Sequence, residues 1–161
     1  MKTLVLVRHA KSAWDEPGLD DHERPLAKRG LRDAPEMGHR LAERGLEPDV
    51  ILSSTAVRAR MTAELIADAL GFRADRVTTD ERLYAASPEE ILGVVRQLNP
   101  AVDIAMLVAH DPGMSDLAFA ISGTIEHMPT CAVAEFRFTV DTWPDAIEAE
   151  PVETRFDTPR A

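Results

Sequence analysis

The sequence predicts an α/β fold, a three-layer sandwich in which helices flank a mostly parallel central sheet. Short apolar runs alternate along the chain with longer segments of helical periodicity, as in sheets built from βα units. The first run, residues 4–7, is apolar without interruption, which indicates a strand buried on both faces. The 161 residues suit a single domain over 1–161, and we expect a loose tail after about residue 157.

The strand predictions follow from the apolar runs. In residues 133–140, apolar positions alternate with Glu135 and Arg137, which predicts a strand nearer the sheet edge with one exposed face. The predicted strands are, in chain order, 4–7, 49–53, 104–109 and 133–140, with a weaker candidate at 152–156.

The helix predictions follow from capping and stop signals. Asp33 and Glu36 form a capping-box pattern around Pro35, which predicts a helix from there to about Gly45. The other predicted helices are 56–70, 87–98 and 111–123. Residues 10–25 and 124–130 lack such patterns, and an irregular segment as long as 10–25 inside a compact domain is often functional.

Composition excludes several classes of protein. The chain has 18 Lys and Arg against 28 Asp and Glu, a net charge of −10, which argues against binding nucleic acid. Its one cysteine, Cys131, excludes an internal disulfide and argues against a cysteine zinc site. The apolar runs are too short for a signal peptide or a membrane span. We therefore expect a cytoplasmic protein without nucleic acid or membrane partners, and the oligomeric state stays open.

Arginine and histidine side chains follow three of the predicted strands. Arg8 and His9 follow the first strand, His110 follows the third, and Arg58 lies in the first turn of the helix after the second. Because ligands of parallel sheets bind at the carboxyl ends of the strands, we expect these residues to meet at one edge. Guanidinium groups match phosphate oxygens, and helix N-termini add donors. The set therefore predicts a phosphoryl site with a neutral, nucleophilic histidine.

Three sequence blocks resemble the histidine phosphatase superfamily, which includes the phosphoglycerate mutases. The blocks are residues 6–10, 53–64 and 108–113. The segment from Arg8 to Ser12 and the Arg24-Pro25-Leu26 stretch are similar to the small SixA-like branch of phosphohistidine phosphatases. This resemblance implies a phosphoglycerate mutase-like fold and a metal-independent phosphatase that needs no cofactor.

The resemblance also implies roles for individual residues. His9 is the implied nucleophile that forms a phosphohistidine, Arg8 and Arg58 are the phosphate clamps, and His110 donates to the phosphoryl group. The sequence departs from the superfamily signature at Ala10, which replaces glycine.

Several assignments stay open at this stage. Glu81, three residues before Tyr84, is a tentative general acid, and the rival Asp111 is better explained as a helix N-cap. Lys11 and Ser12 either contact the phosphate or line the loop. The run 20–23, Asp-Asp-His-Glu, is interpreted as a solvated loop, or as a group that positions Arg24, in preference to a metal site.

The expected activity is hydrolysis through a covalent phosphohistidine. The expected partner is a phosphorylated protein, carrying phosphohistidine, or a small phosphomonoester. The alternative is a catalytically weak phosphate-binding or regulatory module, which would keep the clamps but lack a proton donor.

Overall fold

The computed structural model describes residues 1–160, which form one six-stranded sheet with helices on both faces. The strands are β1 (Lys2–Arg8), β2 (Val50–Ser53), β3 (Thr78–Thr79), β4 (Ile104–Ala109), β5 (Val133–Phe138) and β6 (Glu153–Asp157). The helices are α1 (Lys28–Glu43), α2 (Val57–Leu70), α3 (Pro88–Arg96), α4 (Gly113–Ser122) and α5 (Trp143–Ala146). Short 3₁₀ turns cover Asp21–Glu23, Ala74–Arg76 and Glu81–Leu83.

The sheet has the strand order β3-β2-β4-β1-β5-β6. Strands β1 to β4 run parallel to one another, β5 runs antiparallel to β1, and β6 runs antiparallel to β5, which confirms the mostly parallel sheet. Arg8 of β1 pairs in register with Ala109 of β4, and Ser53 of β2 with Val108. Three parallel strands therefore end side by side, and the residues that follow them emerge at the same edge.

Two hydrophobic cores lie on opposite faces of the sheet. Val5 and Val7 point into the core under α1 and α2, whereas Leu4 and Leu6 point into the core under α3, α4 and α5. All four side chains are buried, as the uninterrupted apolar run predicts for a strand covered on both sides. This arrangement confirms the three-layer α/β sandwich.

The prediction that β5 exposes one face is wrong. Glu135, which occupies a polar position of the alternating pattern, is buried and forms an ion pair with Arg44 at the end of α1. Strand β5 is also covered on its outer side by β6. Alternation predicted exposure, but a buried carboxylate is tolerated when a guanidinium compensates its charge.

Helix α1 begins five residues earlier than its capping-box pattern predicts. It starts at Lys28, so Pro35 lies inside the helix. Asp33 is buried and accepts two hydrogen bonds from Arg160 instead of capping the helix. The early start is favoured because the first turn packs tightly on the loop before it: a Cβ on Gly30 would lie 2.3 Å from the Lys11 carbonyl oxygen.

The other helices lie close to their predicted limits. Ser87 and Glu90 form the capping box at the start of α3, which ends at Arg96 and not at residue 98. Helix α4 begins at Gly113 and is capped after Ser122 by Gly123, which has a left-handed φ of 71° that glycine adopts without strain.

The C-terminal segment lies against α1. Arg40 donates to the carbonyl oxygens of Thr158 and Pro159, and Arg160 binds Asp33. Residue 161 lies outside the described residues, and the looseness of this segment stays a prediction. Among the helices of residues 1–160, none combines the length and the apolar character needed to cross a lipid bilayer.

The first residue of α4 provides a test of the fold near the candidate site. A Cβ at Gly113 would lie 2.1 Å from the Ala86 carbonyl oxygen, so Gly113→Ala is expected to lower the free energy of unfolding by about 2 kcal/mol. Gly93 in α3 faces open space, and Gly93→Ala is the matched control. It is expected to raise stability by about 0.5–1 kcal/mol. Urea denaturation measures both, and equal effects would contradict the packing at Gly113.

Candidate active site

Two histidines meet at the carboxyl edge of the sheet. His9 directly follows β1, and its backbone N–H donates to the Ala109 carbonyl at the end of β4. His110 directly follows β4. The centroids of the two imidazole rings lie 5.0 Å apart, although the residues are far apart in sequence. The structure thus brings together the two predicted histidines.

The His9 ring is oriented by a hydrogen bond to its neighbour. Its Nδ1 lies 2.7 Å from the Ala10 carbonyl oxygen, which can only accept, so Nδ1 carries the proton. The pKa of His9 is lowered to about 4, chiefly because burial disfavours the charged ring and also because Arg58 and Arg8 are nearby. The ring is therefore neutral at pH 7, and its Nε2 keeps a free lone pair.

Ala10 fits the position where the superfamily signature has glycine. It is fully buried and is not among the residues with positive φ, so the backbone there does not require glycine. Its N–H donates to Thr62 Oγ1, and the Thr62 hydroxyl donates to the Arg58 carbonyl. Thr62, which the sequence analysis did not single out, ties the segment after β1 to the first turns of α2.

The tautomer of His110 follows from a contact with Ser54. Its Nε2 lies 2.8 Å from Ser54 Oγ, and that oxygen already accepts the backbone N–H of Ala56. The Ser54 hydroxyl proton has no other acceptor within residues 1–160, so the tautomer that satisfies it has Nε2 as the acceptor and the proton of the neutral ring on Nδ1. Burial, and next the neighbouring His9, lower the pKa of His110 to about 3. Its Nδ1 is thus a buried hydrogen-bond donor.

Arg8 is held from the far end of its guanidinium. Its Nη1 donates to the Met128 carbonyl at 3.0 Å and lies 3.5 Å from Asp111 Oδ2. Asp111 is not the predicted N-cap of α4, because Pro112 occupies that position, although Asp111 accepts the Ser115 backbone N–H in the first turn of the helix. The Nε of Arg8 is buried and has no hydrogen-bond partner among residues 1–160.

Arg58 is held in the same manner by another loop. Its Nη1 donates to the Asp21 carbonyl at 2.6 Å, and its Nη2 donates to Asp21 Oδ2 at 3.0 Å. The side chain is almost fully buried, and its Nε has no hydrogen-bond partner in the described part of the chain. The run 20–23 was expected at most to position Arg24. Asp21 does bind Arg24, and the contact with Arg58 was not expected.

Three buried side-chain polar atoms have no hydrogen-bond partner within residues 1–160, and all three belong to predicted site residues. They are Arg8 Nε, Arg58 Nε and His110 Nδ1. Each is an N–H donor, and leaving a buried donor unpaired costs about 1–3 kcal/mol. A set of donors around a neutral imidazole suits an oxyanion and would repel a cation.

The other candidate residues, Lys11, Ser12 and Glu81, make no contact with the two histidines through a hydrogen bond or ion pair within residues 1–160. The Ser12 hydroxyl is buried and accepts from Arg24 Nη1 at 2.7 Å, so it supports that arginine. The side chains of Lys11 and Glu81 form no hydrogen bond or ion pair within the described part of the chain, and Glu81 is exposed. Tyr84 reaches the site instead. Its ring lies 5.5 Å from the His110 ring, and its hydroxyl donates to Asp21.

A charged cleft of about 670 Å³ lies at the opposite edge of the sheet. Its three arginines are paired with carboxylates: Arg44 with Glu135, and Arg137 and Arg155 with Glu153. It therefore has no set of free donors like that around His9. Within residues 1–160, no group of three or more His, Cys, Asp or Glu residues is arranged to hold a metal ion.

Comparison with known families agrees with this arrangement. The model of the histidine phosphatase superfamily (branch 1) matches residues 4–93. The chain belongs to this superfamily. An uncharacterized protein of Mycobacterium tuberculosis is 36% identical over 166 residues, covering 96% of this chain and 100% of that protein.

Solved structures relate the chain to the SixA-like branch of the superfamily. A candidate phosphohistidine phosphatase SixA from Agrobacterium tumefaciens is 28% identical with a TM-score of 0.78, covering 96% of this chain and 97% of that chain. A candidate SixA from Nakamurella multipartitia is 26% identical with a TM-score of 0.84, covering 99% and 97%. The fold is thus phosphoglycerate mutase-like, as the sequence blocks predict.

The burial of the two histidines predicts how the protein responds to acid. In an NMR titration, the His9 ring is expected to stay neutral down to about pH 4 and the His110 ring down to about pH 3. Unfolded histidines bind protons near pH 6.5. From there down to about pH 4, the unfolded state binds more protons than the folded state, and the free energy of unfolding falls as the pH falls.

The histidine contribution to this slope is isolated by His9→Gln, which should show a shallower fall in unfolding free energy over the same pH range. A His9 ring that titrates near pH 6.5 in the wild-type protein would contradict the buried, neutral site.

Proposed function

We propose that the chain is a phosphatase that acts through a phosphohistidine on His9, with protein phosphohistidine or a small phosphomonoester as substrate. Membership of the histidine phosphatase superfamily supports a phosphoryl-transfer enzyme. The observation that carries the proposal is the set of three unpaired, buried N–H donors of Arg8, Arg58 and His110 beside a neutral His9. These donors are preorganised for the oxygens of a phosphoryl group.

The first step is transfer of the phosphoryl group to the enzyme. The Nε2 lone pair of His9 attacks phosphorus and forms a P–N bond. The bond to the leaving nitrogen or oxygen breaks, and its electron pair departs with the leaving group, which takes a proton from solvent. Arg8, Arg58 and the Nδ1–H of His110 spread the charge of the transferring phosphoryl. His9 needs no base, because its attacking nitrogen is already unprotonated.

The second step is hydrolysis of the phosphoenzyme. Water attacks phosphorus, the P–Nε2 bond breaks, and inorganic phosphate leaves while the water loses a proton to solvent. The hydrogen bond from Nδ1 to the Ala10 carbonyl stabilises positive charge on the ring while Nε2 carries the phosphoryl group. His9 then returns to its neutral state.

An open rim favours a phosphoryl group carried on a protein. The side chains of Asp21 and His22, which border the site, are 51% and 36% exposed. His22 packs edge-on against Tyr84 and lies within hydrogen-bond distance of Thr55, so this rim is ordered. A side chain presented by another protein can approach such a site without an enclosing pocket.

A phosphate-binding module with weak turnover is the second candidate. It is favoured by one observation: the Glu81 side chain is exposed and forms no hydrogen bond or ion pair with the rest of residues 1–160. Without a proton donor, Arg8 and Arg58 would still bind phosphate, but an alkoxide leaving group would depart slowly.

Substitution of the nucleophile tests the proposal. His9→Gln is expected to lower hydrolysis of an aryl phosphate by more than about 1,000-fold, since no covalent intermediate can form. His39→Gln, on the exposed face of α1, is the matched control and should retain wild-type activity. Rapid quenching of the wild-type reaction should trap a phosphoenzyme that is acid-labile and base-stable.

Two outcomes would change the conclusion. Equal activity in wild type and His9→Gln would exclude His9 as the nucleophile. Phosphate binding without turnover of aryl phosphates or phosphohistidine peptides would leave the binding module as the function.

Comparison of two leaving groups tests whether Glu81 is the acid. Imidazole leaves more readily than an alkoxide, so Glu81→Gln should change hydrolysis of a phosphohistidine peptide by no more than about twofold. If Glu81 protonates alkoxides, the same variant should lower hydrolysis of an alkyl phosphate by about 100-fold. Glu89→Gln, an exposed glutamate in the first turn of α3, is the control. Unchanged alkyl phosphate hydrolysis in Glu81→Gln would exclude Glu81 as the acid.

A further inference from the structure

The Asp21 carboxylate lies at the centre of a hydrogen-bonded cluster on the rim of the site. Its Oδ2 accepts from Arg58 Nη2 at 3.0 Å and from the Tyr84 hydroxyl at 2.7 Å. Its Oδ1 lies 3.2 Å from both Nε and Nη2 of Arg24. One carboxylate therefore joins two arginines and the single tyrosine of the chain.

The charge of this carboxylate is retained at every pH at which the protein would work. The hydrogen bond from Tyr84, aided by those from Arg58 and Arg24, lowers the pKa of Asp21 to about 2. Charge-assisted hydrogen bonds of this kind are stronger than neutral ones and hold their partners in a defined geometry.

The contacts with Asp21 determine which part of Arg58 remains available. Both terminal nitrogens donate to Asp21, Nη1 to its carbonyl and Nη2 to its carboxylate, and the buried Nε has no partner within residues 1–160. Arg8 is similar at two of its three nitrogens: Nη1 binds Met128 and Asp111, and the buried Nε is unpaired within the same residues. In both arginines, loop groups hold the end of the guanidinium and leave Nε free.

Other contacts fix Arg24 and with it the loop that carries Asp21. Arg24 is buried and donates to Ser12 Oγ and to the Ala13 carbonyl. The Trp14 ring covers its guanidinium at 3.4 Å. Asp21 is thus anchored on a rigid arginine on one side and holds Arg58 on the other.

We propose that Asp21 is a positioning residue that sets the Arg58 guanidinium for phosphoryl binding, with its Nε–H directed at the anion. This inference rests on the proposed function, since it assigns Asp21 to the same phosphoryl site. An arginine side chain has about 2 kcal/mol of rotamer freedom. Holding it in one orientation before the phosphoryl arrives removes that cost from binding and from the transition state.

A competing role for Asp21 makes the opposite prediction. If the Asp21 carboxylate competed with phosphate for Arg58, it would weaken phosphate binding, and its removal would strengthen phosphate binding. A positioning carboxylate strengthens phosphate binding, and its removal weakens it. The sign of the change in affinity therefore separates the two roles.

The test compares three variants with the wild-type chain. Asp21→Ala removes the carboxylate, and Asp21→Asn keeps the shape but places an amide N–H₂ against one of its donors. Asp20→Asn is the matched control, because it removes the same charge from a neighbouring exposed side chain that makes no capping hydrogen bond. The measurements are the Kd for inorganic phosphate by calorimetry, kcat and KM on an aryl phosphate, and the thermal unfolding midpoint.

The expected result is a graded loss confined to Asp21. Asp21→Ala should weaken phosphate binding about tenfold and lower kcat/KM by about 100-fold, since misplacement of a clamp affects the transition state most. Asp21→Asn should fall between Asp21→Ala and wild type, and Asp20→Asn should match wild type. The unfolding midpoint should stay within about 2 °C in all variants, because the Asp21 side chain is half exposed.

The outcomes separate this inference from the proposed function. Phosphate binding that is unchanged or tighter in Asp21→Ala overturns the positioning role, whether or not the enzyme turns over. The wild-type chain could bind phosphate without hydrolysing any substrate, and Asp21→Ala could still bind phosphate more weakly than wild type. That result supports the positioning role, while the phosphatase proposal fails. A wild-type chain that neither binds phosphate nor hydrolyses any substrate overturns both.

Discussion

The site depends on imidazole rings that stay neutral beside guanidinium groups. Charged histidines 5.0 Å apart, buried and close to Arg8 and Arg58, would repel one another and the arginines. Burial removes this conflict because it lowers the pKa of both rings. The same neutrality gives His9 a free nitrogen, and the neutral His110 ring keeps one N–H to donate. A single physical condition, the exclusion of water, thus produces the nucleophile and keeps the cations available for an anion.

The parallel part of the sheet sets the spacing of these groups. Strands β1, β4 and β2 lie side by side in register, so the backbone after each strand emerges at the same edge. The two cores hold the strands from both faces, and α2 and α4 begin at this edge. Rigid elements therefore position the histidines and the first turn of α2. A catalytic site requires this, because its side chains must be held to within a fraction of an ångström, about 0.5 Å, of the productive geometry.

The irregular segments complete the site from the outside. Residues 10–25 contribute Asp21, which binds Arg58, and residues 124–130 contribute the Met128 carbonyl, which binds Arg8. Each segment is itself tied to a helix end or a helix, by the Ala27 N–H to the Lys11 carbonyl and by the Met128 N–H to the Ser115 hydroxyl oxygen. Residues 10–25 and 124–130 show no periodic pattern in the sequence, and in the structure their contacts with Arg58 and Arg8 hold both the loops and the arginines in place.

The sequence by itself determined the fold class, five of the six strands and the four residues Arg8, His9, Arg58 and His110, because apolar runs and the residues that follow them are local features. The two-residue strand β3 has no such run. Only the tertiary structure decided the early start of α1, the burial of Glu135 and the roles of Ser54, Thr62 and Asp21. These depend on partners distant in sequence: Arg160 binds Asp33, Arg44 binds Glu135, and Asp21 reaches Arg58. A pattern along the chain reports periodicity and caps, but it carries no information on which distant side chain compensates a buried charge.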